Sequence, residues 1–448
     1  MTHTEQGGPP RTHGRGAQRL VLAVCAVTCA ALLAACGGGS SQGAQTLDTK
    51  AKVTLTFWTG QTSDAEKMLE SLAKEFSAAH PNVTIDTSPG ASVTDDLLQK
   101  LTAGFASDTY PDISYSYGAW ATELQQSGRT LDISDFVAKP SVKWDQFPEA
   151  ARGTATPDGK TIGFPAVVDN LALIYNTKLF ADAGIAEPTN DWSWDDYRAA
   201  AKALTDPSKN IYGSAYPVSG SEDTAWRLWP MIWQRGGEVL DPSSGKVMFN
   251  EPAGVDSLEF LRSMAVDDKS MYLDQTDEKA GPLFADGHVG MLISGPWQLY
   301  DLKQAHTPYK VAYLPGYNGD HTTVSGPDIW ALFDHNDVNR AYWATQFAYW
   351  LTSPEIDTRF NLAMGNLPLR SSEAKSPAFK TYEKQYPGAD VMFANMQNAT
   401  KIKPTVVGYN AVVRYVGQAV AEVLQGAAQP KAALDEAAQK STQAMAGG

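Results

Sequence analysis

Cysteine is nearly missing from this chain: there are three, Cys25, Cys29 and Cys36, all within the first 36 residues. The rest of the chain therefore has no disulfide and must be held by its own core. A membrane-length apolar run is missing too. The stretch from Leu20 to Leu33 is about 14 residues long, too short to cross ~30 Å of hydrocarbon as a permanent span, and no other stretch comes closer. Basic charge is in deficit: 36 Lys and Arg stand against 50 Asp and Glu, for a formal net charge of −14. Such a surface repels phosphate backbones and anionic headgroups, so nucleic acid is excluded as a partner.

Signatures of catalysis are equally scarce. The acidic pairs Asp95-Asp96, Asp195-Asp196 and Asp267-Asp268 are adjacent in sequence, so on a helix they point about 100° apart and make no facing acid–base pair. The seven histidines are scattered without metal-ligand spacing. Ser219-Gly220-Ser221 lacks the Gly-x-Ser-x-Gly elbow, and Gly37-Gly38-Gly39 follows no strand that would make it a phosphate loop. No cofactor or metal site is expected, and nothing specific speaks for an enzyme.

What is present begins with a leader. Arg11, Arg15 and Arg19 precede the apolar stretch, which ends at Leu33-Ala34-Ala35-Cys36. A basic start, a short apolar region and small residues before a cut describe a secretory signal. The ending resembles the bacterial lipobox, which implies lipidation of Cys36 and attachment to the outer face of the membrane. The expected organisation is a signal peptide over 1–35 and a flexible Gly/Ser/Gln/Thr-rich tether over 36–51.

The globular part opens with Val53–Trp58, β-branched and aromatic as a buried strand would be. Asp64–His80 has helical spacing closed by Pro81, Val83–Ile85 reads as a strand, Leu97–Phe105 as a helix and Pro111–Tyr115 as a third strand. This alternation predicts an α/β lobe with a largely parallel sheet, whose ligands sit beyond the carboxyl ends of the strands, around Trp58–Gln61 and Tyr115–Trp120. Further on, Ala172–Asn176 predicts a strand and Trp194–Leu204 a helix capped by Ser193. Helices are also predicted over Asp223–Trp233, Ala253–Val266, Asp337–Leu351, Asn410–Leu424 and Pro430–Gln443. No internal repeat is visible.

Several landmarks recur in order: Phe57-Trp58-Thr59, His80-Pro81-Asn82-Val83, Pro111-Asp112-Ile113, Gly163-Phe164-Pro165 and Leu173-Ile174-Tyr175-Asn176. They continue with Trp192-Ser193-Trp194, Phe284-Ala285-Asp286-Gly287, Gly295-Pro296-Trp297, Gly365-Asn366-Leu367-Pro368 and Lys403-Pro404. Together these resemble extracellular solute-binding protein family 1, the carbohydrate receptors of ABC importers, similar in outline to maltose-binding protein. The resemblance implies a periplasmic-binding-protein type II fold: two α/β lobes, a hinge of several crossings and a ligand cleft between the lobes. It further implies a carbohydrate ligand, two permease subunits with an ATPase as partners, and a monomer. The corresponding lobes are 52–166 plus 317–355 and 167–316 plus 356–448.

Candidate ligand contacts follow from sugar chemistry, since flat rings match pyranose faces while hydroxyls need fixed donors and acceptors. In similar proteins the tryptophan of the Gly295-Pro296-Trp297 motif packs on the sugar; the alternative for Trp297 is a core position. Trp58 and Trp120 serve equally as ligand wall or lobe core. Trp226, Trp229 and Trp233 share one helical face, which is ordinarily core, and Trp226 is the one nearest a loop. Gln61, Asp169, Asn170, Glu222, Asp328 and Arg370 stand near predicted strand ends or crossings, as sugar contacts or as hinge hydrogen-bonding groups. Asp112 reads as structural, a cap for a nearby turn. Other ligands for the same fold are a polyol, a glycerol phosphoester or a polyamine, and a glycan-processing enzyme would need two facing carboxylates in the cleft.

Overall fold

The apolar positions of Val53–Trp58 alternate as the first strand requires, with Val53, Leu55 and Phe57 turned inward. The computed structural model describes residues 45–446 apart from 92, 93 and 242. The leader over 1–35, Cys36 and most of the tether lie outside the described residues. Leu47–Gly448 form one compact unit. Residues 48–51, expected as the end of the tether, are instead tied down. The Asp48 N–H donates to Asn339 Oδ1 (2.8 Å), and Asn82 Nδ2 donates to the Ala51 carbonyl (2.9 Å).

Twelve strands are described: β1 Val53–Trp58, β2 Val83–Ser88, β3 Ile113–Ser116, β4 Gly163–Val167, β5 Ala172–Asn176, β6 Tyr212–Pro217, β7 Met271–Asp274, β8 Val289–Ser294, β9 Tyr309–Ala312, β10 Val324–Ser325, β11 Asp328–Leu332 and β12 Lys401–Ile402. One five-stranded sheet has the order β2-β1-β3-β11-β4 and another the order β7-β6-β8-β5-β9, with helices packed on both, so the molecule has two α/β lobes. The first sheet was expected to be largely parallel. It is parallel only among β1, β2 and β3, because β11 enters antiparallel between β3 and β4. The short parallel pair β10 and β12 lies among the segments that cross between lobes.

Local chemistry explains most helix limits. Ser193 and Asp196 make a reciprocal capping box at Trp194–Leu204. The helix expected over Asp223–Trp233 is two, Glu222–Trp226 and Trp229–Gln234, because Pro230 cannot donate to a preceding turn and sits at the start of the second. In the first lobe Phe57 packs edge-on against Trp330 (5.3 Å) and Phe347 (5.5 Å), which binds the sheet to the helix Val338–Leu351. Asp112 is structural, though not as a turn cap. Its buried carboxylate takes both Arg340 Nε and Nη2 at 2.8 Å and the Thr56 N–H at 2.8 Å, fixing that helix to β1.

One buried pair predicts a pH effect. Glu373 and Asp357 are both buried, and their carboxyl groups lie within hydrogen-bonding reach of each other. Burial, reinforced by Asp357, pushes Glu373 up to about 10. In the unfolded chain a Glu titrates near ~4.3, so between those values the folded state keeps a proton that the unfolded state has released, and stability falls as pH rises. Glu373→Gln, shaped like the protonated acid, should be more stable than the parent at pH 8, with the gap narrowing toward pH 5. Urea denaturation at both values checks this, and a gap independent of pH would show that Glu373 is ionised in the fold.

Candidate functional site

The carboxyl ends of the parallel strands in both sheets converge on one cavity of about 690 Å³. Gly60 and Gln61 follow β1, Tyr115 and Tyr117 lie at the end of β3, Pro217 ends β6, Asp274 ends β7, and Ser294 and Trp297 close β8. Gly60 has φ +62°, and a Cβ there would stand 2.9 Å from Tyr115 Cβ, so the tight exit from β1 needs glycine. Beside the cavity, Tyr300 donates to Asp64 Oδ2 (2.9 Å), joining the helix Trp297–Gln304 of one lobe to Ser63–Ala79 of the other.

The floor is made by the crossings. Asp169 lies between β4 and β5, Asp328 begins β11, and Lys403 follows β12; all three line the cavity and are more than nine-tenths buried. The Gly326 N–H donates to Asp169 Oδ1 (2.8 Å). Asp328 accepts from the Tyr115 hydroxyl (2.5 Å) and the Gly118 N–H (3.0 Å). Lys403 Nζ donates to Glu222 Oε1 (3.0 Å) and sits 4.5 Å from the centre of the Trp226 ring. Burial, then the neighbouring Asp328 charge, pushes Asp169 up to about 7. Burial likewise raises Asp328 to about 6, opposed chiefly by Lys403. For Lys403 burial works against the charge, but Glu222, Asp328 and Asp169 together hold its ammonium above the usual lysine range.

The second-lobe wall is aromatic and acidic. Trp226 and Trp297 face the cavity with ring centres 6.0 Å apart and planes 35° from parallel. Asp223 fixes the first indole, accepting from Trp226 Nε1 (3.0 Å), while its two oxygens take Arg227 Nη2 at 2.8 and 2.9 Å. Asp277 accepts from the Ser219 and Ser221 hydroxyls, both at 2.5 Å, and burial raises its carboxyl. Among the described residues no group of three or more His, Cys, Asp or Glu could hold a metal ion.

Gln61, Asp169, Glu222, Trp226, Trp297 and Asp328 are thus brought together. Four sequence candidates stand elsewhere. Trp120 is 1% exposed in the core, packed on Tyr117 (4.9 Å), while Trp229 and Trp233 are buried as the helical stripe suggests. The Trp58 ring lies under Lys100 Nζ (4.3 Å) and is not part of the cavity lining. Asn170 is a hinge anchor: it donates to the Met392 carbonyl (2.9 Å) and accepts from Asn395 Nδ2 (2.8 Å). Arg370 is buried and spends its donors on the carbonyls of Thr352 (3.0 Å), Val142 (3.1 Å) and Lys143 (3.3 Å), so it braces loops and lines a separate cavity. Sequence reasoning missed Arg227, Asp277, Asp301 and the role of Lys403. Only the Lys403-Pro404 landmark carried any signal for them.

A family model described as bacterial extracellular solute-binding protein matches residues 71–387. A binding protein of Brucella abortus is 26% identical over 379 residues, covering 83% of this chain and 88% of that one. The sn-glycerol-3-phosphate-binding periplasmic protein of Rhizobium meliloti is 23% identical over 415 residues, covering 89% and 95%. An ABC substrate-binding protein from Listeria monocytogenes, solved in complex with cycloalternan, superposes with a TM-score of 0.79 at 23% identity, covering 88% of this chain and 99% of that one. No helix among the described residues is long and apolar enough to cross a membrane.

Proposed function

This chain belongs to the bacterial extracellular solute-binding proteins, and from that premise we propose that it captures a carbohydrate in the interlobe cleft and hands it to an ABC importer. The observation that carries this is the tilted pair Trp226 and Trp297 lining one cavity with the polar floor of Asp169, Asp328, Glu222 and Lys403. Indole faces match the apolar C–H face of a pyranose, and fixed carboxylates and an ammonium match its hydroxyl edge. The cavity volume falls within the ~300–1,000 Å³ usual for small-molecule sites. Gln61 and Tyr115 reach it from one lobe and Trp226 and Trp297 from the other, so ligand contacts both walls and favours the closed arrangement.

Our division of the lobes is 52–166 plus 317–355 and 167–316 plus 356–448. It is supported by strand membership: β1 to β3, nearly all of β4, and β11 fall in the first set and β5 to β9 in the second. The closed form is taken to dock on two permease subunits served by an ATPase. A lipid on Cys36 would keep the receptor, as a monomer, near them. Asp169 and Asp328 are held in the crossings by Gly326, Gly118 and Tyr115, which favours a binding role over hydrolysis. A glycerol phosphoester, the ligand named for the Rhizobium relative, is the weaker choice. Both cavity cations are already paired, Lys403 with Glu222 and Arg227 with Asp223, and Arg370 lies elsewhere.

The test is a thermal-shift screen of the chain carrying Cys36→Ser against mono- and oligosaccharides, polyols, glycerol phosphoesters and polyamines. A ligand specific to the folded state adds about 2.7 kcal/mol at 100 times its Kd, a clear rise in midpoint. The expected result is a selective shift with sugars. A shift with a phosphoester and none with sugars would overturn the carbohydrate assignment and leave the receptor role standing.

A further inference from the structure

We propose that the cleft selects a sugar carrying a protonated amine, with Asp277, Glu278 and Asp301 on the second-lobe wall and Asp169 and Asp328 on the floor as its counter-charges. The proposal rests on the carbohydrate reading and narrows it.

The cavity is lined by eight acidic residues and two basic ones. The chain as a whole has 50 acidic and 36 basic residues, so the cleft is richer in acid than composition alone gives. Both cations are consumed internally, Arg227 by Asp223 and Lys403 by Glu222. Asp274 is satisfied by the N–H groups of Thr276, Lys279 and Ala280. None of the five named carboxylates makes a direct ion pair among the described residues, and the two on the floor, Asp169 and Asp328, share the one Lys403 ammonium with Glu222. Asp277 Oδ1 is buried with no hydrogen-bond partner, and Asp169 and Asp328 are more than nine-tenths buried.

Lobe closure over a neutral sugar would strip water from Asp277, Glu278 and Asp301 and return only hydroxyl hydrogen bonds, and it would bring no counter-charge to the already buried Asp169 and Asp328. An ammonium group returns charge-assisted ones and cancels part of their mutual repulsion. An anionic ligand would add to the repulsion. A bare polyamine would satisfy the charge but leave the partly exposed ring of Trp297 and the amides of Gln61, Gln298 and Asn366 without matching groups.

The experiment is calorimetric titration of the full chain carrying Cys36→Ser with matched sugars: cellobiose, the glucosamine disaccharide and its N-acetylated form, and the corresponding monosaccharides, with spermidine alongside. The free-amine sugar is expected to bind at least tenfold more tightly than its neutral and acetylated counterparts at low salt. The advantage should shrink as salt is raised, since partly exposed charges are screened. Combining Glu278→Gln with Asp301→Asn should cut the amino sugar's affinity more than tenfold. Equal or tighter binding of the neutral or acetylated sugar would overturn the proposal and leave the carbohydrate reading intact. Binding of spermidine with no sugar, or of none of the panel, would overturn both.

Discussion

Replacing Lys403 with Met is expected to cost about 3–5 kcal/mol of folding stability at pH 8 and clearly less at pH 5. The residue is more than nine-tenths buried, and among the described residues its ammonium is the one cation at a floor shared by Asp169, Asp328 and Glu222. Met fills much the same volume, so packing is largely conserved and the loss reports charge. Without the ammonium, three largely buried carboxylates share the floor with no counter-charge, and their remaining remedy is to take up protons. Asp169 and Asp328 already titrate at about 7 and about 6 because burial opposes their charge. Removing Lys403 moves both higher. Below those values the folded state binds protons that relieve the repulsion; above them it must carry the charges, so the penalty grows with pH. Chemical denaturation of parent and variant at pH 5 and pH 8 checks this. An equal loss at both values would mean that the charge of Lys403 does not set the penalty.

The same floor shows where sequence stops informing. Strand β1, strand β5 and the cap at Ser193 were legible because each is written in a few neighbouring residues. The position of β11 was not, since Asp328 meets Tyr115 across 213 positions and no local pattern encodes that pairing. Inserting β11 makes half the first sheet antiparallel and also brings Asp328 beside Asp169. Trp120 and Trp226 illustrate the limit at single residues. Both follow strand ends, but the Gly118–Trp120 turn rotates one into the core while Asp223 holds the other against the cleft. Arg370 and Asn170 were expected near strand ends or crossings, as sugar contacts or as hinge hydrogen-bonding groups, and backbone carbonyls and a side-chain amide use their hydrogen-bonding capacity. Residue type suggested polar contacts there, and only the fold decides with whom.

Trp297→Ala is expected to weaken sugar binding by about 1–3 kcal/mol, roughly 5- to 150-fold, with little loss of folding stability. Trp297 is partly exposed and opens a helix at the end of β8, so truncation removes a cavity face without emptying the core. Trp226, 5% exposed and held by Asp223, remains as a partial platform, which is why the loss stops short of abolition. A second substitution separates stacking from bulk. A Cβ on Gly295 would lie 2.0 Å from Trp297 Cζ3, so Gly295→Ala must push the indole out of its present plane while keeping every ring atom. If binding depends on the plane of that ring, Gly295→Ala should lower affinity nearly as far as Trp297→Ala, and Trp297→Phe should fall between parent and Ala. Titration of the three variants with the sugar giving the largest thermal shift decides the matter. Affinity unchanged in Trp297→Ala would remove this residue from the site and leave Trp226 as the stacking surface; a loss in Trp297→Ala without one in Gly295→Ala would assign the effect to buried area instead of ring orientation.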